Sequence, residues 1–406
     1  MRIKPFQGLR PSETFVREIA SVPYDVVTTQ EAKSLAAHNP LSLLHVVRPE
    51  IDHPQGTDPY ADKVYGTAKK NFERLQKLGF LIRESSPCLY IYEQEMQGRR
   101  QQGIAAVCAI EDYESNIIKK HEITRKEKED DRTRLTHTLN ANPGPVFLTY
   151  RDQEEIDTLV KKATEPSPLY AFTAPDGVKH TVWRIEGSAD LVKAFAEVPV
   201  AYVADGHHRS ASAARVGRER REANPHHTGE EDYNWFLCVL FPTSQLNILP
   251  YNRIIHDLNG LDPQTFLQKV RDCCHLTENA SGTPSQPNEV DLYLDGKWFR
   301  LTFEYQQADD NPANRLDVSI LQDKILAPIL GIDDPRTSER IDFVGGIHGT
   351  QALTNKVDTG QAAAAFSLHP VTIDQLIDIA DADQIMPPKS TWFEPKLRSG
   401  LFIHTF

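Results

Sequence analysis

Apolar residues recur along this chain at two periods, and the switches between them mark its elements. Tyr60, Val64, Ala68, Phe72 and Leu75 share one face at helical spacing, with Gly79 as a natural stop. The spacing predicts an amphipathic helix over 60–78. In VPYDVVTTQEAKSLAAHNP a turn precedes a helix capped by Thr28 or Thr29, which ends before Asn39-Pro40. CLYIYEQEM and QGIAAVCAIEDY read as a strand pair. GPVFLTYR, VKHTVWRI and PVAYVAD are short strands, and a helix from about Arg209 to Arg221 follows the last. NWFLCVLFP is a buried strand, and Asp295-Gly296 in DLYLDGKWFRLTF signals a hairpin. VSILQDKILAPILG predicts a largely buried helix and TIDQLIDIAD another.

Between these elements, residues 222–232 (EANPHHTGEED) are polar and rich in turn formers, and predict a mobile loop. The C-terminal stretch MPPKSTWFEPKLRSGLFIH mixes Pro, Lys and Arg with Trp392, Phe393 and Phe402; those aromatics predict that it packs. The alternation of helices and strands predicts a mixed α/β protein. At 406 residues the chain is long for one core, so two or three packed units are expected. The segments are 1–100, 101–255 and 256–406.

Composition narrows the function classes. Hydrophobic residues make up 39% and charged residues 25%, ordinary for a soluble globular protein. A formal net charge of −12 argues against a general nucleic-acid binder. No stretch approaches about 18 consecutive apolar residues, so no membrane span is expected. The N-terminal MRIKPFQGLRP lacks an apolar signal core. The five cysteines form no CxxC pair, and Cys108 and Cys238 sit in apolar runs; a reduced, cytoplasmic setting fits.

The densest chemistry lies at Asp205-Gly206-His207-His208-Arg209, where a strand turns into a helix. Free N–H groups and the helix dipole make such a turn an anion site, and Arg209 adds a forked donor for phosphate oxygens. The plain alternative is a helix entry with Asp205 near the cap and solvated histidines. Zinc is a third reading, but adjacent helical residues point about 100° apart, so His207 and His208 do not easily share an ion. His226 and His227 lie in the polar loop, so no direct metal ligand is expected, with Asp205 the one candidate.

A second candidate is IIKKHEITRKEKEDDRTRL, where His121 and Glu122 end a strand. Thr124 to Glu127 fits a capping box, with a helix starting at Arg125. Glu122 there suits a general base; the alternative is a solvated helix with Arg125–Glu129 and Lys126–Asp130 pairs. Tyr24, Asp25, His45 and Arg48 stand beside apolar runs, and Gly345-Gly346 permits close backbone approach. Lys389, Lys396 and Arg398 are further phosphate candidates. Walker A, GxGxxG and GxSxG motifs are absent from the sequence.

Taken together, KKHEITR and VADGHHR resemble the free-serine kinases, whose fold is shared with ParB-type proteins and sulfiredoxins. The whole chain also resembles a large bacterial family long catalogued as a domain of unknown function. PYDVV, NPLSLLHVVRPEID, IKKHEITR, GPVFLTYR, VADGHHR, DPRTSERIDFVGG and MPPKSTWFEPKLRSGLF carry that likeness. The resemblance implies a central ParB/sulfiredoxin-like kinase core at 101–255, elaborated by α/β segments on either side. The two motifs stand further apart than in the small kinases, which implies an insertion between them. Sulfiredoxins carry Gly-Cys-His-Arg at this turn; here His207 fills the cysteine slot, which favours phosphoryl transfer over redox chemistry.

The resemblance implies a nucleotide-dependent kinase that converts free L-serine to O-phosphoserine, with ATP or ADP as donor and Mg²⁺. Glu122 is then the general base and Asp205 a catalytic residue that orients substrate or holds Mg²⁺. Gly206, His207, His208 and Arg209 bind phosphates. His121, Arg125, Tyr24, Asp25, Arg48, Lys389 and Arg398 are candidates for substrate or phosphate contact. Two alternatives stay open: a nucleotide-binding regulatory protein, and a kinase or phosphatase for another small molecule.

Overall fold

The computed structural model describes residues 1–304 and 311–406. Its contacts gather into two compact units. Residues 1–120, 124–246 and 395–406 form the first, and residues 121–123 and 247–394 the second. The expected boundary at 100/101 falls inside a strand, Arg99–Ala109, so the N-terminal and central segments share one sheet. Apart from residues 121–123, the second unit begins at Asn247.

The first unit is built on a nine-stranded sheet. Its strands are β1 (Ile3–Lys4), β2 (Leu89–Met96), β3 (Arg99–Ala109), β4 (Ile118–Lys119), β5 (Val146–Tyr150), β6 (Tyr170–Thr173), β7 (Lys179–Ile185), β8 (Ala201–Asp205) and β9 (Trp235–Pro242). The spatial order is β4-β8-β5-β9-β3-β2-β7-β6, with β1 on β3. Most pairs are antiparallel, but β8 runs parallel to β4, and β9 parallel to β5. The apolar runs of β3 and β9 are buried on both faces, as strands covered from both sides must be. Cys108 and Cys238 are fully buried there as free thiols, and burial pushes the Cys108 thiol up. Ile104, Leu148, Phe195, Val203, Phe236 and Leu240 pack into the same core. Each such side chain contributes about 1.5–3 kcal/mol on burial.

Helices α1 (Thr29–Ala36), α2 (Asp62–Lys77), α3 (Lys126–Leu139) and α4 (His207–Ala223) belong to this unit. Thr28 caps α1 in a reciprocal capping box with Glu31. Tyr65, Ala68, Phe72 and Leu75 of α2 join Leu43, Leu135 and Ile403 in a second core. Ile403 comes from the C-terminal tail, which packs as its aromatics predict. Its His404 and Thr405 pair with Asn142 and Ala141.

The second unit holds a six-stranded sheet. Strands β10 (Tyr251–Ile255), β11 (His275–Glu278), β12 (Glu289–Leu294), β13 (Lys297–Thr302), β14 (Ile341–Gly345) and β15 (Ala364–Leu368) run in the order β11-β13-β12-β15-β10-β14. Every pair in it is antiparallel. The β12–β13 hairpin turns at Asp295 and Gly296, both at positive φ (48° and 76°), the geometry this dipeptide favours. Helices α5 (Pro263–Arg271) and α6 (Ile373–Asp381) pack in this unit, and Thr372 caps α6 with a capping box to Gln375. The stretch expected as one helix from Val318 is a short α-turn, Asp317–Leu321, that widens into a π-turn, Gln322–Leu326. Gly345 and Gly346 admit close approach as expected. What approaches is Trp392 and Pro250, so the glycines serve packing.

Candidate functional site

Two strands of the first sheet precede the candidate motifs. β4 leads toward α3, and β8 turns directly into α4. The two strands are parallel neighbours, Ala201 opposite Ile118 and Tyr202 opposite Lys119. In open α/β sheets, ligands bind beyond the carboxyl ends of such strands. The ladder of β8 shifts register between Val203 and Asp205, a bulge of the kind that re-aims side chains beside sites. Gly206 then caps α4 at φ 96°, a left-handed conformation. Its backbone conformation favours glycine, and a Cβ there would stand 3.0 Å from Arg209 Cζ and Nε, so the guanidinium would have to give way by a few tenths of an ångström. The seventeen residues of α4 aim their dipole and first-turn amides at this turn.

Arg209 is folded back over Gly206. Its Nη1 donates to the Pro145 carbonyl, and its Nη2 lies 3.4 Å from Asp205 Oδ2 and 3.9 Å from Asp25 Oδ2. Its Nε is buried and has no hydrogen-bond partner among the described residues. Burial works against the guanidinium charge, but Asp25 and Asp205 hold its pKa above the ordinary value. Asp205 also faces Lys396, whose Nζ is 3.8 Å from Oδ2. Behind Asp25, Arg132 stacks 4.1 Å from the Tyr24 ring centroid and pairs with Asp131, which accepts from Tyr65 at 2.7 Å. Burial pushes the Tyr24 phenol up.

The two histidines differ. His207 is 5% exposed, and burial lowers its pKa to about 3, with His208, Arg209 and Lys120 adding to the effect. It is therefore neutral at ordinary pH. His208 Nε2 accepts from the Arg125 backbone N–H at 3.1 Å, so a neutral His208 carries its proton on Nδ1. That bond ties the start of α3 to the turn at Gly206. The capping box expected at Thr124 does not form: α3 starts after Arg125 with no side-chain cap, and the Thr124 hydroxyl donates to Glu129 instead of meeting Glu127. Lys126–Asp130 forms as expected at 2.7 Å. The helix is not simply solvated, because Asp131, Arg132 and Thr133 face inward.

His121 is fully buried within the second unit, where its carbonyl accepts from the Met386 N–H at 2.8 Å; Glu122 is half-buried there. Lys389, also in the second unit, stands at φ 58° with its ammonium over the Tyr251 ring. Arg48 binds Glu50 at 2.9 Å and Thr29 at 2.9 Å, and lines a cavity of about 90 Å³ with Tyr24, Tyr60, Lys128 and Arg132. Arg398 is turned into the first unit, against His180 and Asp176.

The donor set bears on a metal. Among the described residues no three His, Cys, Asp or Glu gather as a cation cage. Asp205 and Asp25 instead flank one guanidinium, a set suited to Mg²⁺, which takes one or two carboxylates and fills its shell with phosphate and water. No helix among the described residues is long and apolar enough to cross a membrane.

Residues 3–319 match the model of a family described as "Protein of unknown function (DUF1015)". The chain belongs to this family. No curated protein matches it. Among solved structures, SbnI with a C-terminal truncation from Staphylococcus aureus overlaps at TM-score 0.40 and 10% identity, over 73% of this chain and 87% of its own. A free serine kinase in complex with AMP overlaps at 0.38 and 10%, over 73% and 92%. A conserved hypothetical protein from Pyrococcus furiosus gives 0.37 and 11%, over 73% and 93%. Overlaps of this size leave the reading of the site to its own residues.

Proposed function

We propose that this chain is a cytoplasmic, nucleotide-dependent phosphotransferase that phosphorylates the hydroxyl of free L-serine, on a core of the ParB/sulfiredoxin type. The donor is ATP or ADP with Mg²⁺. The observation that supports this most directly is the meeting of the two motif-bearing strands: β4 and β8 are parallel neighbours, and Arg125 bonds His208. Phosphoryl transfer depends mainly on placement and charge neutralisation. Gly206 and the first-turn amides of α4 offer N–H donors to phosphate oxygens, and Arg209 offers its fork. Neutral His207 adds a donor without repelling the cations beside it. Bound Mg²⁺ would be held by Asp205, with Asp25 near, and would neutralise charge on the transferring phosphoryl group.

In the reaction the serine hydroxyl oxygen attacks the terminal phosphorus. The P–O bond to the departing nucleotide breaks, and the hydroxyl proton passes to the Glu122 carboxylate. The test is turnover of ATP and of ADP by the full chain with Mg²⁺, across amino acids and sugars, with O-phosphoserine measured directly. Phosphoserine formed with serine alone of the panel is expected. Product from another acceptor would move the substrate; tight nucleotide binding without any product would make the chain a sensor.

A further inference from the structure

Two polar clamps carry the C-terminal tail onto the phosphate turn, and we propose that Lys396, the residue they deliver, contacts nucleotide phosphate, with Arg398 and His180 as its positioning residues. This rests on the nucleotide-binding reading above. The chain returns to the first unit at Pro395. The Lys396 carbonyl accepts from Gln94 Nε2 at 2.9 Å, and Gln94, fully buried, is itself held by Gln101 at 2.9 Å. Two residues on, the Arg398 Nε–H donates to His180 Nε2 at 3.2 Å, while its other arm reaches Asp176. The Arg398 main-chain N–H lies 3.4 Å from Tyr92 Oη, which is 2.8 Å from His180 Nδ1.

The chemistry fixes the direction of this relay. Arginine only donates, so His180 Nε2 must be an acceptor and its proton sits on Nδ1, directed at Tyr92. Burial, with Arg398 adding, lowers the His180 pKa to about 3, which keeps that single tautomer. Leu397, between the clamps, is buried. The backbone on both sides of the Lys396 side chain is thereby fixed. The side chain is 13% exposed and ends at Asp205.

Asp205 already faces Arg209, so Lys396 is a second cation on the same carboxylate. A compact ammonium beside a helix amino end is a point-charge binder of phosphate. An incoming phosphate would draw it from Asp205.

Titration calorimetry of the full chain with ADP and with adenosine tests this. Lys396→Ala should weaken ADP roughly tenfold, the size of one charge-assisted contact, and leave adenosine unchanged. Lys396→Arg should recover most of the loss, and Lys396→Met stands in should the alanine variant unfold. His180→Leu should lower the preference for ADP over adenosine several-fold, where a purely structural role would lower stability and leave that preference alone. If the wild type binds ADP and the Lys396 variants keep its preference within about twofold, Lys396 is not a phosphate ligand and the nucleotide reading stands. If the wild type binds neither compound, the nucleotide reading falls and this proposal with it.

Discussion

The two sheets of this molecule differ in one respect that matters for chemistry. The six-stranded sheet of the second unit is antiparallel throughout, so neighbouring strands end at opposite edges and their connections scatter. The nine-stranded sheet contains two parallel pairs, and one of them, β4 with β8, sends two helix-bound connections out of the same edge. A parallel pair concentrates backbone amides and motif residues where an antiparallel pair disperses them. Both units also bury titratable groups. The first unit buries neutral His180, His207 and His404. In the second, Asp317 accepts from the Asn288 N–H at 2.7 Å, and burial raises its pKa to about 7.

Four measurements would break or sharpen the contrast. The largest effect belongs to Glu122→Ala, expected to lower serine-dependent turnover roughly 10²–10⁴-fold, as loss of a general base does, while calorimetric ADP affinity changes by less than about twofold. Unchanged turnover would remove Glu122 from the reaction.

Next come two glycines in the left-handed region. Gly206→Ala strains the turn and drives a methyl group against Arg209, so ADP affinity should fall about 10–100-fold. Gly296→Ala in the second-unit hairpin meets nothing within 4 Å; it should cost about 1 kcal/mol in urea unfolding and leave turnover intact. Equal effects on turnover would mean that the parallel edge has no special standing.

Acid comes third. His207 takes its proton near 6.5 when unfolded but only near 3 when folded, so its contribution is whole above 6.5 and shrinks as the pH falls. His180 and His404 act with the same sign, their folded values lowered by burial to about 3 and about 4. Urea midpoints of the wild type should fall with acid below pH 6.5, and His207→Gln should flatten the slope by up to roughly 1.4 kcal/mol per pH unit.

Asp317 gives the smallest effect, with opposite sign. Its folded pKa is raised from 3.8, so the stability it contributes is whole below 3.8 and is lost as the pH rises through about 7. Asp317→Asn keeps an acceptor for the Asn288 N–H and should flatten that decline in urea titrations.

How much of this was legible in the sequence follows from what is local. The α1 cap at Thr28, the α2 stripe and the Asp295-Gly296 turn depend on neighbours within a few residues, and each reads directly. So does the turn at Gly206, because a strand, a glycine and a helix succeed one another. The inward face of α3 does not. Asp131 and Arg132 look like surface charge until Tyr24, Tyr65 and the Val47 carbonyl supply partners from distant positions. The contacts of Arg398 are hidden for the same reason: His180 and Asp176 lie more than two hundred residues away. The π-turn at Gln322–Leu326 lay beyond reach, since the apolar pattern suits a regular helix equally well.

The tail that completes the first unit has a consequence for synthesis. Ile403, His404 and Thr405 fill a core and a strand pair whose other members are made before the whole of residues 247–394. While the second unit is being translated, the first stands with an unfilled edge and without the lysine that faces Asp205. It can mature only after translation has passed residue 400, so the turn that holds Gly206 is assembled early and becomes complete late.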